Sequence, residues 1–304
     1  MIKISTVILN WNRYEDTLEC LKSLEKIKKN NFDFNIIVVD NGSKIEEVKK
    51  LKLLKNKKNI TIIYNSKNLG FAEGNNIGIR SALKENSDYV LILNNDTVVD
   101  KNLFIELIKI AEKRKTVAAL SPKIYFAKGF EFHKDKYNKS DLGKVIWAVG
   151  GFIDWNNVYG VNRGVDEVDT NQYEKIENID FASGACILFR ADALRRAGLF
   201  DQKYFMYLED ADLCLRLKKK NYEIIYVPKA VIWHKVAQSS GIGSNLNDYF
   251  ITRNRLIFGF RYAKLRAKIA LIKESMKFMI KGRFWQRIGV IDFLIGNLGK
   301  GSWK

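Results

Sequence analysis

Carboxylates, amides and one histidine stand where this sequence could do chemistry. VLILNND (residues 90–96) is a hydrophobic run ended by two amides and a carboxylate. If the run is a strand, Asn95 and Asp96 present oxygens at a sheet edge, the donors that a hard divalent cation on a phosphate prefers. The same residues also end strands in ordinary Asx turns, so the motif alone does not define a metal site. Glu209, Asp210 and Asp212 cluster behind the aromatic YFMY at a helix start, where the dipole stabilises ionised carboxylates. One of them has the chemistry of a general base; the plainer reading is acids that only favour the helix terminus. IIVVDNGS puts Asp40 at another strand end, with Asn41 or Ser43 equally suited to N-capping. NLGFAEGNNIGIR (residues 68–80) is a glycine-rich helix entry suited to close backbone approach to phosphate. It lacks G-x-x-x-x-G-K-[ST], and no G-x-G-x-x-G follows the first apolar run, so ATP hydrolysis and dinucleotide binding lose support. His234, one of two histidines, follows Trp233 at the end of a β-branched run; a single histidine fits a structural role as readily as a ligand.

These groups need elements to hold them. Short β-branched runs at 2–9, 35–40, 60–64, 88–93 and 117–120 alternate with helical patterns at 14–28, 45–54, 73–84 and 103–113. Strand and helix in alternation predict an α/β fold with a central, mostly parallel sheet flanked by helices. IIVVD and YVLIL are apolar without alternation, as strands buried on both faces are. Their polar terminators then lie at carboxyl ends, where open α/β sheets bind ligands. Residues 130–178 lose periodicity and read as an insertion covering the substrate. A strand at 181–189, a helix at 209–220 and strands at 223–227 and 231–233 follow.

The chain has 304 residues, 47% of them apolar, and a formal net charge of +18. It is expected to fold and to meet polyanions: nucleic acid, anionic lipid or phosphorylated small molecules. Residues 253–304 hold 13 Lys or Arg against two acids, Glu274 and Asp292. Their apolar residues recur at helical spacing, which predicts a C-terminal basic amphipathic helical tail on an anionic membrane surface; the alternative is a tail packed on its own domain. Three scattered cysteines form no metal-knuckle or disulfide pattern and point to a reducing compartment. No leader sequence or membrane-spanning run is apparent.

Taken in order, VILNWNRYEDTLECLKSL, IIVVDNGS, NLGFAEGNNIGI, LILNND, SGACILFR, FDQKYFMYLEDADLCLRL, WHK and YFITRNR resemble glycosyltransferase family 2, in its rhamnosyltransferase-like subgroup. The resemblance runs from about Val7 to Arg255. It implies the GT-A (nucleotide-diphospho-sugar transferase) fold over residues 1–252, with a nucleotide-binding half (1–120), an acceptor and catalytic half (121–252), and the tail at 253–304. It also implies inverting, metal-assisted transfer from a dTDP-, UDP- or GDP-linked sugar, possible donors including L-rhamnose, to a saccharide or lipid-linked acceptor in cell-envelope polysaccharide synthesis. Asn10, Asn12 and Asp40 would line the nucleotide pocket, Asn95 would join them, and Asn68, Gly70 and Asn75 would shape its diphosphate and ribose side. Asp96 and His234 would hold Mg²⁺ or Mn²⁺, with Asn94 and Asn95 standing where the family motif is more acidic. Asp210 would be the general base and Glu209 its substitute, also facing the acceptor. Gly184 and Ala185 would leave room for the acceptor saccharide.

The expected setting is cytoplasmic, on the inner face of the membrane. A sugar-phosphate nucleotidyltransferase is the rival enzyme, but would carry a Gly-rich basic signature where this chain has NWNRYED. A nucleic-acid-binding module would use the charge differently: no recognisable motif accompanies it and the excess is concentrated in the tail, so no nucleic-acid partner is expected.

Overall fold

The apolar runs become strands buried on both faces, and alternate residues of each strand feed opposite cores. Val7, Ile37 and Ile92 enter one core while Ile8, Val38 and Leu91 enter the other. The computed structural model describes residues 1–56, 59–236 and 244–303. Its first half runs β1 (Ile2–Asn10), α1 (Tyr14–Leu24), β2 (Phe32–Asp40), α2 (Ile45–Lys52), β3 (Ile60–Tyr64), α3 (Gly70–Lys84), β4 (Tyr89–Asn94), β5 (Thr97–Val99), α4 (Leu103–Lys113) and β6 (Val117–Phe126). Short strands β7 (Ile146–Ala148), β8 (Gly151–Asp154), β9 (Tyr159–Asn162) and β10 (Glu177–Asn178) occupy the irregular stretch. The chain then forms β11 (Cys186–Arg190), α5 (Ala191–Ala197), α6 (Glu209–Lys218), β12 (Glu223–His234), α7 (Asn245–Tyr262), α8 (Leu265–Lys281) and α9 (Phe284–Leu294).

The main path of the sheet is β10-β12-β6-β11-β4-β1-β2-β3. β3, β2, β1 and β4 are mutually parallel, β12 is parallel to β6, and β11 is the antiparallel strand between β4 and β6. This is the expected mostly parallel sheet. Its register places Asn10 beside Asp40 and Leu9 beside Asn94, so the polar strand ends converge on one edge. α1 and α4 cover one face; α3, α6 and α7 cover the other. Gly78 lets α3 lie close to β1: a Cβ there would stand 2.3 Å from Val7.

Three features differ from the sequence-based expectation. β12 is one strand, because the chain at Pro228, which lacks a ladder donor, is accommodated as a register shift between Val227 and Val231. The strand expected at 181–189 is shorter, β11, and a turn at residues 184–185 precedes it. α7 runs through the 252/253 boundary; Tyr249, Phe250, Asn254 and Phe258 are buried, so it belongs to the body of the protein. α9 packs on α7, where Gly289 allows close approach to the Tyr249 carbonyl. Residues 296–303 then return to the body, with the Gly299 amide donating to the Lys203 carbonyl at 2.8 Å. Among the described residues no helix is long and apolar enough to cross a membrane.

Candidate active site

The edge formed by β1, β2 and β4 is built from amides locked onto one another. Asn10 is fully buried; its Nδ2 donates to Asp40 Oδ1 at 3.0 Å and its Oδ1 accepts from the Thr17 hydroxyl at 2.8 Å. It supports Asp40 from below. The other Asp40 oxygen accepts from the Ser43 amide at 3.2 Å. Asn12, in the left-handed region at φ 55°, binds the first loop to the second: its amide donates to Ser43 Oγ and its Oδ1 accepts from the Lys44 amide, each at 2.8 Å. Asn95 donates to Thr17 Oγ at 3.0 Å.

Asn68 caps the opposite side, its Oδ1 accepting from the Gly70 amide at 2.8 Å and from Asn41 Nδ2 at 3.0 Å. Asn41, which sequence reasoning treated only as a helix cap, is the hub here: its Oδ1 accepts from the Leu69 amide and from Asn65 Nδ2, both at 3.1 Å. Its place directly after Asp40 was the available signal. Asn75 donates to the Phe71 carbonyl at 2.9 Å, and its buried Oδ1 lacks a partner among the described residues. Gly70, at φ 79°, lies against Phe205.

Asp96 and His234 come together because β5 pairs with β12, opposing Thr97 to His234. His234 Nε2 is 3.1 Å from Asp96 Oδ1. Burial works to raise the Asp96 pKa, but the neighbouring imidazole and Arg13 hold it below the ordinary carboxylate value. The His234 ring meets Trp147 edge-on at 4.8 Å, and its Nδ1 has no hydrogen-bond partner among the described residues.

Glu209 and Asp210 open α6 and are unlike each other. The Asp210 carboxylate accepts from the Gly184 amide at 2.9 Å and the Ala211 amide at 2.8 Å. Glu209 is buried, with Oε2 unpartnered among the described residues. Burial raises both pKa values, and the Asp210 charge adds to the rise at Glu209, which goes far higher; backbone donors restrain the rise at Asp210. Asp210 therefore ionises before Glu209. Asp212 turns into the protein, where Arg216, Arg261 and Tyr262 donate to it at 2.8, 2.6 and 2.7 Å; its role is structural. Because the folded-state pKa of Glu209 is raised, stability falls as pH rises from the ordinary glutamate value toward the folded one, the range in which the unfolded chain has released the proton and the folded chain still holds it. Glu209→Gln is expected to raise the melting temperature at pH 8 by a few degrees, on the order of 1 kcal/mol, with a smaller gain at pH 5; thermal melts at the two pH values check this.

The turn that delivers the pair is strained. Phe205, Tyr207 and Leu208 have φ of 64°, 69° and 71°, a conformation that costs non-glycine residues about 1–3 kcal/mol each. The buried Asn254 side chain offsets this by donating to the Tyr204, Met206 and Tyr207 carbonyls at 2.9, 2.7 and 3.0 Å. Arg253, fully buried between Tyr249 and Phe250, adds bonds to the Tyr204 and Lys203 carbonyls at 3.0 and 3.3 Å. YFITRNR belongs to the family resemblance, but its residue types alone do not indicate this contact.

The pair faces a cleft of about 700 Å³ lined by Ser183, Leu208, Tyr159 and Trp147 among others. Trp147 is thus a wall common to the cleft and to His234. The room expected beside Gly184 and Ala185 is taken: a Cβ on Gly184 would lie 2.9 Å from Phe71, and Ala185 is buried in the second core. Gly184 acts through its backbone amide instead, and its missing side chain makes space for Phe71.

A mostly parallel sheet with an antiparallel strand inserted, ligand-type side chains on one edge and a carboxyl pair beyond them is the GT-A architecture. The chain belongs to glycosyl transferase family 2, whose sequence profile matches residues 5–198. It is 24% identical over 222 residues to a low-salt glycan biosynthesis hexosyltransferase of Haloferax volcanii, covering 73% of this chain and 63% of that protein. It is 29% identical over 154 residues to the N-acetylglucosaminyl-diphospho-decaprenol L-rhamnosyltransferase of Mycobacterium tuberculosis, covering 51% and 49%. The chain thus spans less than two thirds of either relative. A mannosyltransferase from Pyrobaculum calidifontis, solved with GDP-Man and Mn²⁺, shares the fold at a TM-score of 0.54 and 14% identity, over 99% of this chain and 87% of the other.

Proposed function

We propose that this chain is an inverting glycosyltransferase that moves a sugar, L-rhamnose being one candidate, from a dTDP-, UDP- or GDP-linked donor to a saccharide or lipid-linked acceptor. The setting is the cytoplasmic face of the membrane. The observation that carries the reading is the unequal Glu209–Asp210 pair facing a cleft beside the amide-lined strand ends. An acceptor hydroxyl attacks the anomeric carbon as the bond from that carbon to the diphosphate oxygen breaks; Asp210 takes the hydroxyl proton, and the nucleoside diphosphate leaves. Glu209, the later of the two to ionise, leaves that proton to Asp210. Asn12, Asp40 and the loop at Asn68 shape the nucleotide side.

Asp96 and His234 are the residues that would hold Mg²⁺ or Mn²⁺, and their donor atoms fit it. A carboxylate oxygen and an imidazole nitrogen brought within 3.1 Å of each other at the sheet edge are donors that such an ion would take. No cluster of three or more His, Cys, Asp or Glu suited to a metal occurs among the described residues, so phosphate oxygens and water would complete the shell, as is usual for Mg²⁺. When bound, the ion neutralises charge developing on the diphosphate.

Thermal stabilisation against nucleotides and nucleotide sugars tests this, since a ligand at 100 times its Kd adds about 2.7 kcal/mol to stability. A shift with one nucleotide sugar, enlarged by Mn²⁺, is expected. Asp96→Asn and His234→Ala should each remove the Mn²⁺ increment and leave most of the nucleotide shift. A shift with RNA or DNA and none with any nucleotide sugar would overturn the reading.

A further inference from the structure

α8 carries two apolar faces, and the protein covers only one. Ala267, Leu271 and Phe278 pack inward against the core. On the opposite side Leu265, Ile269, Ile272, Met276 and Ile280 recur every three or four residues, a single stripe along the helix. Leu265, Met276 and Ile280 are 72%, 62% and 71% exposed. α9 extends the surface with Phe284 and Leu294 at 65% and 71%, joined by Ile295 just beyond it at 69%. Contiguous apolar exposure on this scale marks an interaction site.

Charge selects the partner. Exposed Arg266, Lys273 and Lys277 flank the stripe on one side and half-buried Lys268 on the other. The two acids of this region point away from it: Glu274 pairs with Arg255 at 3.0 Å, and Asp292 is buried against Tyr249 and Ser302. A second copy of the chain would bring the same cations face to face. Nucleic acid would engage the cations and leave the stripe in water. An anionic bilayer satisfies both, taking apolar side chains below the headgroups and cations among them.

We propose that the outward faces of α8 and α9 dock the protein on an anionic lipid bilayer, with α8 lying in the plane of the headgroups. Arg255 links this surface to the cleft, stacking on Tyr159 of the cleft wall at 3.9 Å while it pairs with Glu274 of α8. The docking itself is independent of the transfer reading; only its use in presenting a lipid-linked acceptor to Asp210 rests on that reading.

Removing the tail is not a usable test, because α9 covers Tyr249 and Phe250 on α7. The full chain is instead sedimented with phosphatidylcholine vesicles, with or without phosphatidylglycerol. Binding to the anionic vesicles alone is expected, weakening with salt. Ile272→Glu combined with Met276→Glu should lower the partition coefficient at least about tenfold, with an unchanged melting temperature because both side chains face solvent. Lys273→Glu with Lys277→Glu should lower it by a similar factor or more. Equal sedimentation of wild type and the Ile272/Met276 variant overturns the proposal, as does no binding to anionic vesicles. Self-association that the same variant abolishes, without lipid binding, would assign the face to a second copy. Vesicle binding needs no sugar nucleotide, so intact docking with no transfer would remove the transferase reading alone.

Discussion

Asp210→Asn is expected to lower the transfer rate about a thousandfold, within the range of a lost general base, while donor affinity changes only a few-fold. The amide keeps the side chain's volume, and its oxygen can still accept from the Gly184 amide, so the fold persists. What it loses is the basic lone pair that receives the acceptor proton. Donor binding should be spared because the proposed nucleotide side, at Asn12, Asp40 and Asn68, is held by its own hydrogen bonds. The wild-type enzyme should show the complementary pH dependence. As the proposed base Asp210 would have to be ionised, and burial raises its pKa, so kcat should fall toward acid with a midpoint above the ordinary aspartate value of about 3.9. Steady-state kinetics of the variant and a pH–rate profile of the wild type check both statements. Retained turnover in Asp210→Asn, or a profile flat down to pH 4, would exclude Asp210 as the base.

The second large effect is expected far from the cleft in sequence. Asn254→Ala removes one amide that serves three carbonyls of the turn before Glu209. Leaving buried carbonyls unpaired costs about 1–3 kcal/mol each, and water entering the site will recover part of it; a net loss of about 3 kcal/mol is expected. The left-handed residues Phe205, Tyr207 and Leu208 then relax, and Asp210 moves with them. Misplacement of a catalytic group by about 1 Å costs roughly a hundredfold in rate, so kcat should fall by that order with the donor KM little changed. Asn254 is a positioning residue, and two readouts separate this from general destabilisation. Amide exchange should quicken at residues 203–212 more than in β1 or β4, and the acid limb of the pH profile should move down as water reaches the carboxyl pair. Lower stability with unchanged kcat, pH profile and local exchange would limit Asn254 to a structural role.

Much of the sheet was legible because its determinants are local. YVLIL and IIVVD are apolar without a break, and only strands buried on both faces use such runs economically. Their polar terminators mark carboxyl ends wherever the strands lie in the sheet, which is why Asp40, Asn95 and Asp96 could be placed together at one edge of it. The acid cluster was visible too, but the division of labour within it was not. Three acids at a helix start look alike in sequence; in the fold Asp212 is enclosed by Arg216, Arg261 and Tyr262, Glu209 is enclosed without a counter-charge, and Asp210 meets the Gly184 amide. Gly184 itself was read as open space, because a sequence cannot say which ring, here Phe71, fills the gap a glycine leaves. The tail was read as one compositional block, yet α7 is core and α8 is surface: a charge count averages over faces that packing separates.

By itself, then, the sequence determined the alternation of strand and helix, the identity of the residues at the strand ends, and the amphipathic character of α8, since each depends on neighbours within a few residues. Tertiary structure decided how the three carboxylates differ in their partners and what holds the turn before them. Asn254 reaches back about fifty residues to the turn at 204–207, and Asp96 meets His234 across the β5–β12 pairing. Periodicity along a chain records burial of one face or another. The pairing of a buried donor with a distant carbonyl depends on chain closure and leaves no periodic trace.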